Sequence, residues 1–340
     1  MPNSIKKALI YFFKVIFPLG VGVFILWLVY RKMDFAAIMD VLRSNVNFWI
    51  IALSLIFGLF ANIARAYRWN LLIKPLGEKP RIHNLIYAVL GNYVVNLVLP
   101  RLGEVWRCGM ITKYEKISFS KLIGTLLVDR LADTLTVGLI VLAAIPLNIP
   151  FFKGYLSRNP EIFDKLEQII SSPWPYLSIV LLIIIIWAVF KFLGHIKIIT
   201  RVNLFLKNIW EGMKTVWYMK DKWKFLFYTF LIWFGYFLYF YICFFAFDFT
   251  KDLGWIAGLI AFGISSVAVA VPVQGGIGAW HAAVIAALLS FGMLENNAAA
   301  FALIVHTIQT VFTALAGLVG VIALPVVNSN QTKKSTIHEP

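Results

Sequence analysis

The stretch FWIIALSLIFGLFANIA, residues 48–64, contains no charged side chain and has about the length needed to cross a bilayer's hydrocarbon core as a helix. Comparable runs occur near 10–29, 121–147, 176–193, 225–247 and 298–324, so about six full crossings are expected. With 61% hydrophobic and 14% charged residues, the chain has more apolar surface than a soluble core could hide. The N-terminal run has the order of a signal peptide, but its apolar stretch is too long and no small-x-small site follows, so it reads as a retained first helix.

Four shorter apolar pieces remain, near 85–99, 105–117, 256–271 and 277–292. Their lengths suit half-membrane or re-entrant helices. They form two pairs, joined by LPRLGE (99–104) and VPVQGG (271–276), and each joint carries Pro-x-x-Gly. The expected fold is all-α: a polytopic membrane helical bundle of about six full transmembrane helices plus two re-entrant helix pairs in an inverted-repeat arrangement. One integral membrane domain would span 1–325, with half A near 48–147, half B near 225–324, an amphipathic cytoplasmic linker near 194–224 and a polar, disordered tail at 326–340.

The net charge of +15 sits between apolar runs and forms no stripe with interleaved aromatics, which argues against nucleic acid as a partner. With the N-terminus inside, the cytoplasmic segments hold about 21 Lys and Arg and the outer loops about 7, a strong positive-inside bias. Both termini are then cytoplasmic, in a plasma membrane, and the short pairs enter from opposite faces. Cys108 and Cys243 have no metal-ligand spacing and read as packing residues.

Broken backbone at membrane depth is tolerated only where protein or a watery cavity satisfies it. Two breaks entering from opposite faces therefore imply a shared cavity near the midplane. Close helix packing through small residues is the other reading of the glycines. Each ionisable group inside a span costs roughly 2.5–3.5 kcal/mol on the insertion scale, which draws attention to LVDRLADTL, with Asp129, Arg130 and Asp133. Asp129 and Asp133 share a helix face and Arg130 can pair with Asp133. Either this is a structural ion pair, or the trio's net negative charge requires a further cation from Arg101, Arg107 or Arg65.

In half B, IVHTIQT places His306 and Gln309 on one face at a similar remove from the break. A satisfied packing histidine is the alternative. Just after the glycine break, His281 is expected to face the cavity and Trp280 to be packing. Arg65 and Arg68 close the second span, either as snorkelling anchors at anionic headgroups or as a grip on a lipid phosphate.

LPRLGEVWR (99–107), DRLAD (129–133) and PVQGGIG (272–278) resemble the signatures of the lysylphosphatidylglycerol synthase transmembrane-domain family of flippase-like membrane proteins, in order and spacing, over roughly residues 10–325. The resemblance implies a polytopic domain with re-entrant helices that moves a lipid, such as an aminoacylated phosphatidylglycerol, between leaflets. By matching position it points to Pro100, Gly103, Glu104, Arg107, Arg130, Asp133, Pro272, Gly275, Gly276 and Gly278. Asp129 stands where Glu is common, His281 where an acid is common and His306 where an arginine is common, so the headgroup stays open. No aminoacyl-transferring domain follows residue 325 in this sequence, and no lysine transfer is expected of it.

No Walker A, HExxH or Gly-x-Ser-x-Gly sequence appears. The substrate-binding candidates are Arg101, Glu104, Arg107, Asp129, Arg130 and Asp133 in half A and Gln274, His281, His306 and Gln309 in half B. Catalytic residues, metal and cofactor are expected to be absent. The expected function is flipping of an anionic or aminoacylated phospholipid without ATP hydrolysis, driven downhill or by an ion gradient, with Asp129, Asp133, Glu104 or His306 as proton carrier. The alternatives are a membrane enzyme that uses Asp129, Asp133 and His306 on a lipid phosphate, and a scaffold for a lipid-modifying enzyme. Partners are phospholipid and, as further alternatives, such an enzyme or copies of the same chain. Single cysteines placed at Asp252 and Lys207 of a Cys-free chain should label from opposite sides of the membrane with an impermeant maleimide.

Overall fold

The computed structural model describes residues 17–31, 35–43, 46–147, 172–174, 177, 181, 219–271 and 273–329. Two compact units divide the chain, residues 1–144 with 220–340 and residues 145–219. Few residues of the second unit are described. The expected span at 176–193 lies almost wholly outside the described residues, as do most of the linker at 194–224, Pro272 and the tail beyond 329.

Among the described residues every regular element is helical: α1 (Phe17–Tyr30), α2 (Phe35–Arg43), α3 (Phe48–Ile73), α4 (Ile82–Val98), α5 (Leu102–Glu115), α6 (Phe119–Leu147), α7 (Lys222–Tyr241), α8 (Gly254–Ala268), α9 (Ala279–Ser290) and α10 (Glu295–Val327). Three stretches among the described residues are long and apolar enough to cross a membrane: Phe48–Leu76, Lys222–Ala246 and Glu295–Val327. These include three of the six expected crossings. Helix α6 has 29 residues but carries the charges of DRLAD, and α1 has 14 residues.

The long helices expose apolar stripes at helical spacing. On α3 these are Trp49, Leu53, Ile56 and Phe60; on α7, Trp223, Phe227, Phe230 and Phe234; on α10, Val311, Leu315, Leu318 and Ile322. Helix α6 adds Leu135, Leu139 and Leu142. Such stripes would be a liability in water but face hydrocarbon without cost.

The two short pairs are helical hairpins, of 17 and 14 residues (α4 and α5) and 15 and 12 residues (α8 and α9). The first turn follows from Pro100, which lacks an N–H and disfavours helical geometry in the residue before it. Leu99 is accordingly extended, at φ −129°, and Arg101 takes a left-handed φ of 65°. The Asn96 side chain accepts a hydrogen bond from Gly103 N at 2.8 Å, satisfying one of the donors that the start of α5 leaves open. A side chain at Gly103 would run into the Asn92 carbonyl. In the second turn, Gly278 (φ 81°) lets the chain pass beneath α1, where a Cβ would meet Gly22 O at 2.6 Å and Ile25 Cβ at 2.7 Å.

Element order repeats: a long helix, a short pair and a long helix (α3 to α6), then the same again (α7 to α10). Helix α4 packs along α10, α7 along α3, and each short helix against its mate. One apolar cluster gathers Phe240, Phe244, Phe247 and Phe301, with the Phe244 and Phe301 rings 5.2 Å apart at 90°, the edge-to-face arrangement their quadrupoles favour. The other gathers Trp69, Ile73, Leu85, Val89, Cys108 and Ile111. Since lipid tails are as apolar as Leu, close packing has to hold helices together.

Span 48–64 proves shorter in sequence than in structure. Helix α3 continues to Ile73 and ends in a 3-10 turn, Lys74–Leu76, closed by Gly77 at φ 80°. Arg65 and Arg68 therefore sit inside the helix, buried, and not at its end. The α4–α10 crossing offers a test of packing: a Cβ on Gly320 would lie 2.5 Å from Tyr87 O and 2.8 Å from Gly91 N, whereas one on Gly124 meets nothing within 4 Å. Gly320→Val should lower the detergent-solubilised protein's melting temperature by the equivalent of about 2 kcal/mol or more, while Gly124→Ala should leave it unchanged or raise it, as read by scanning fluorimetry.

Candidate functional site

Two polar systems adjoin inside the bundle. The first is ionic. Arg65 and Arg68, three apart on α3, meet Asp129 and Asp133, four apart on α6. Arg65 Nη1 lies 2.5 Å from Asp133 Oδ2. Arg68 Nη2 lies 2.6 Å from Asp129 Oδ1 and 2.7 Å from Asp133 Oδ1, and Arg68 Nε donates to Asp129 Oδ1 at 3.0 Å. Arg107 of α5 donates to Asp129 Oδ2 at 3.0 Å while its guanidinium lies 4.5 Å from the Trp69 ring centroid. Arg68 Nη1 reaches Thr229 Oγ1 on α7 at 3.3 Å.

The network ends at Arg130, whose Nε is 2.9 Å from Glu104 Oε1 and whose Nη1 is 3.4 Å from Asp133 Oδ2. Four arginines thus face three carboxylates, a net charge of +1. Isolated ions would be expelled from such a medium, and mutual neutralisation keeps these buried even though Arg65 Nε, Arg107 Nε and Nη1 and Arg130 Nε make no hydrogen bond. The cation sought for Asp129 and Asp133 comes from Arg65, Arg68 and Arg107. Arg101 is not part of this network.

The second system is a cavity of about 460 Å³ lined by both helix breaks. Pro100, Arg101 and Glu104 contribute from the first; Val271, Gly275 and Gly276 from the second. Arg101 Nη2 donates to Ala270 O at 2.7 Å, tying one break to the other. Arg130, His306 and Gln309 also line the cavity. His306 Nε2 is 2.9 Å from Gly275 O; a carbonyl can only accept, so this nitrogen carries the proton, and Nδ1 accepts from the Thr310 hydroxyl at 3.4 Å. Gln309 Nε2 donates to Tyr239 O at 2.7 Å.

Several expectations are corrected by this placement. Arg65 and Arg68 neither snorkel nor face lipid, because the Asp129 and Asp133 carboxylates hold them inside. Arg107, Asp129 and Asp133 do not line the cavity; each aspartate is paired with two or more guanidinium groups. His281 and Trp280 exchange roles. Trp280 lines the cavity, whereas His281 is buried, accepts from Gly278 N through Nδ1 at 3.4 Å and lies 4.4 Å from the His306 ring. Gln274 is buried and Gly278 and Gly103 shape turns, without lining the cavity.

The cavity also holds polar residues beyond those expected. Asn92 and Asn96, one turn apart on α4, are joined by an amide hydrogen bond of 3.1 Å, and Tyr93, between them, meets the Tyr236 hydroxyl at 2.8 Å. Tyr236 in turn donates to Asn62 Oδ1 at 2.7 Å. Their signal was polarity at helical spacing within apolar runs, as in GNYVVN (91–96) and GYFLY (235–239).

Removing one carboxylate from the ionic network leaves buried guanidinium groups unpaired. Asp129→Ala should therefore destabilise the protein by about 3–5 kcal/mol, while Glu104→Gln, at the half-exposed end of the network, should cost about 1 kcal/mol or less; melting curves of the two purified variants check the contrast.

No solved structure matches this chain. The UPF0104 membrane protein MJ1595 of Methanocaldococcus jannaschii is 28% identical over 165 residues, covering 48% of this chain and 46% of that protein, so the similarity spans about half the length of the curated relative. The match to the family described as the lysylphosphatidylglycerol synthase TM region extends over residues 15–317, and with nearly all of its helices inside that stretch the chain belongs to this family of membrane proteins.

Proposed function

We propose that the protein moves a phospholipid between the leaflets of a plasma membrane, passing the headgroup through the cavity while the acyl chains stay in lipid. The observation that carries this reading is the meeting of two helix breaks, one from each half, in a single cavity of about 460 Å³, a size within the usual range for a small-molecule site. Such discontinuous helices around a central site are the architecture on which alternating access operates in secondary transporters. The repeated element order supports reading the halves as inverted copies and the hairpins as re-entrant.

In this reading Arg101 and Arg130 meet the phosphate, since a guanidinium offers a planar pair of donors to two phosphate oxygens. Breaking the Arg101–Ala270 hydrogen bond opens one side. Without an ATP-binding motif, movement is downhill or driven by an ion gradient, and Glu104 and His306 are the titratable groups on the cavity wall that can carry a proton. The positive-inside bias supports a cytoplasmic side for both termini.

The test uses proteoliposomes containing a headgroup-labelled fluorescent phospholipid, bleached from outside by dithionite. Wild-type protein should bleach the inner pool at a rate well above that of empty vesicles, and Arg130→Ala should slow it about tenfold, as loss of a charged contact worth roughly 1.4 kcal/mol would. Identical kinetics for empty and wild-type vesicles would remove the transport reading.

A further inference from the structure

The chemistry of the cavity wall specifies more than a lipid. Its charged residues, among those described, are Arg101, Arg130 and Glu104, and Glu104 is already held by Arg130 at 2.9 Å. Counted as uncharged, His306 donates from Nε2 to the Gly275 carbonyl, and a second ring proton would only add positive charge. The wall therefore has net charge +1, and the ionic network behind it contributes Arg65, Arg68 and Arg107 against only Asp129 and Asp133. An ammonium group entering the cavity would find no uncommitted carboxylate. Of the four Tyr and Trp side chains on the described wall, three rings are already engaged: Arg65 lies 5.7 Å from the Tyr236 ring centroid, the Tyr239 ring packs against Gly58, and Trp280 is flanked by Phe240 and His306 with ring centroids 6.0 and 5.1 Å away.

What the wall offers instead is hydrogen bonding. Asn62, Asn92, Asn96 and Gln309 supply amides, and Thr310 and Thr313 supply hydroxyls. Asn92 is fully buried and its Nδ2 has no hydrogen-bond partner, an uncompensated donor of the kind a ligand oxygen satisfies. Amides with arginine recognise hydroxyl groups and phosphate together.

Resting on the transport reading, we propose that the cavity selects a polyhydroxylated headgroup of net negative charge, such as a phosphoglycerol or a glycosyl phosphate, and rejects headgroups carrying a free amine. Rejection comes from the like charge of Arg101 and Arg130 at close range in a medium that screens poorly, and selection from the same two groups together with the amides.

Isothermal titration of the purified full chain with short-chain dihexanoyl phosphatidylglycerol and with its lysyl ester tests the charge preference, and glycerol phosphate tests whether the lipid portion is needed. Phosphatidylglycerol should bind about tenfold or more tightly than the lysyl ester, as expected of complementary over like charge. Arg101→Glu, at an exposed loop position, should abolish or invert that ratio with the elution profile and helical circular dichroism unchanged. A lysyl ester that binds wild-type protein as tightly as phosphatidylglycerol overturns the selectivity and leaves the transport reading standing. Glycerol phosphate binding as tightly as the lipid supports the charge selection and moves its source to a soluble ligand, against the transport reading. Binding of none of the three overturns the selectivity, and dithionite kinetics then decide the transport reading separately.

Discussion

Two carboxylates buried in a medium that solvates ions poorly set the terms for half of this structure. Asp129 and Asp133 can remain ionised on α6 only because Arg65 and Arg68 of α3 and Arg107 of α5 reach them with direct hydrogen bonds or contacts of about 3 Å. Those bonds in turn dictate where the helices go. Helix α6 has much of its surface exposed as a leucine stripe, and its inner face is drawn to α3 by charge and by the Trp69–Thr125 hydrogen bond of 2.9 Å. A second consequence is a cost for every partial arrangement: the network is favourable complete and expensive with any member missing. Arg130 and Glu104 are where it reaches the cavity, so an event at the wall is electrostatically felt by the buried groups.

The cavity exists because two chain segments cannot continue as helices. Pro100 ends α4 by steric exclusion, and the glycines at 275, 276 and 278 give the second break three left-handed residues in four positions. Backbone released in this way must find partners at depth. Some are side chains, such as Asn96 for Gly103 N and His306 for Gly275 O; one comes from the opposite break, through Arg101 and the Ala270 carbonyl. The polar lining is thus partly the cost of interrupted helices and partly what remains for a ligand.

Much of this architecture was legible in the residues. Apolar run length separated long helices from short ones, and the two Pro-x-x-Gly joints located the hairpin turns. What failed had a common cause. Arg65 and Arg68 look like interfacial anchors because a pairing 61 to 68 residues away along the chain leaves no local trace; the helix was ended at residue 64 for the same reason. Trp280 and His281 are neighbours roughly 100° apart around a helix, so which of them faces the cavity depends on how α9 is rotated against α1 and α10, which periodicity in so uniformly apolar a segment does not encode. Asn92, Asn96 and Tyr93 were readable as polar residues on one helix, but uncharged amides carry a weaker signal than ions.

At the crossing of α4 with α10, Gly317 and Gly320 bring their main chain against the main chain of α4 at Tyr87, Leu90, Gly91 and Val94. Interlocked backbones resist sliding, since any axial slip would drive a neighbouring side chain into the space only hydrogen atoms fill. Whatever shape change this molecule undergoes must therefore carry those two rods along as one rigid strut, joining an element of the first half to an element of the second. The freedom to pivot is left to the remaining contacts, and in particular to helices whose grip on the rest is ionic and reversible rather than steric.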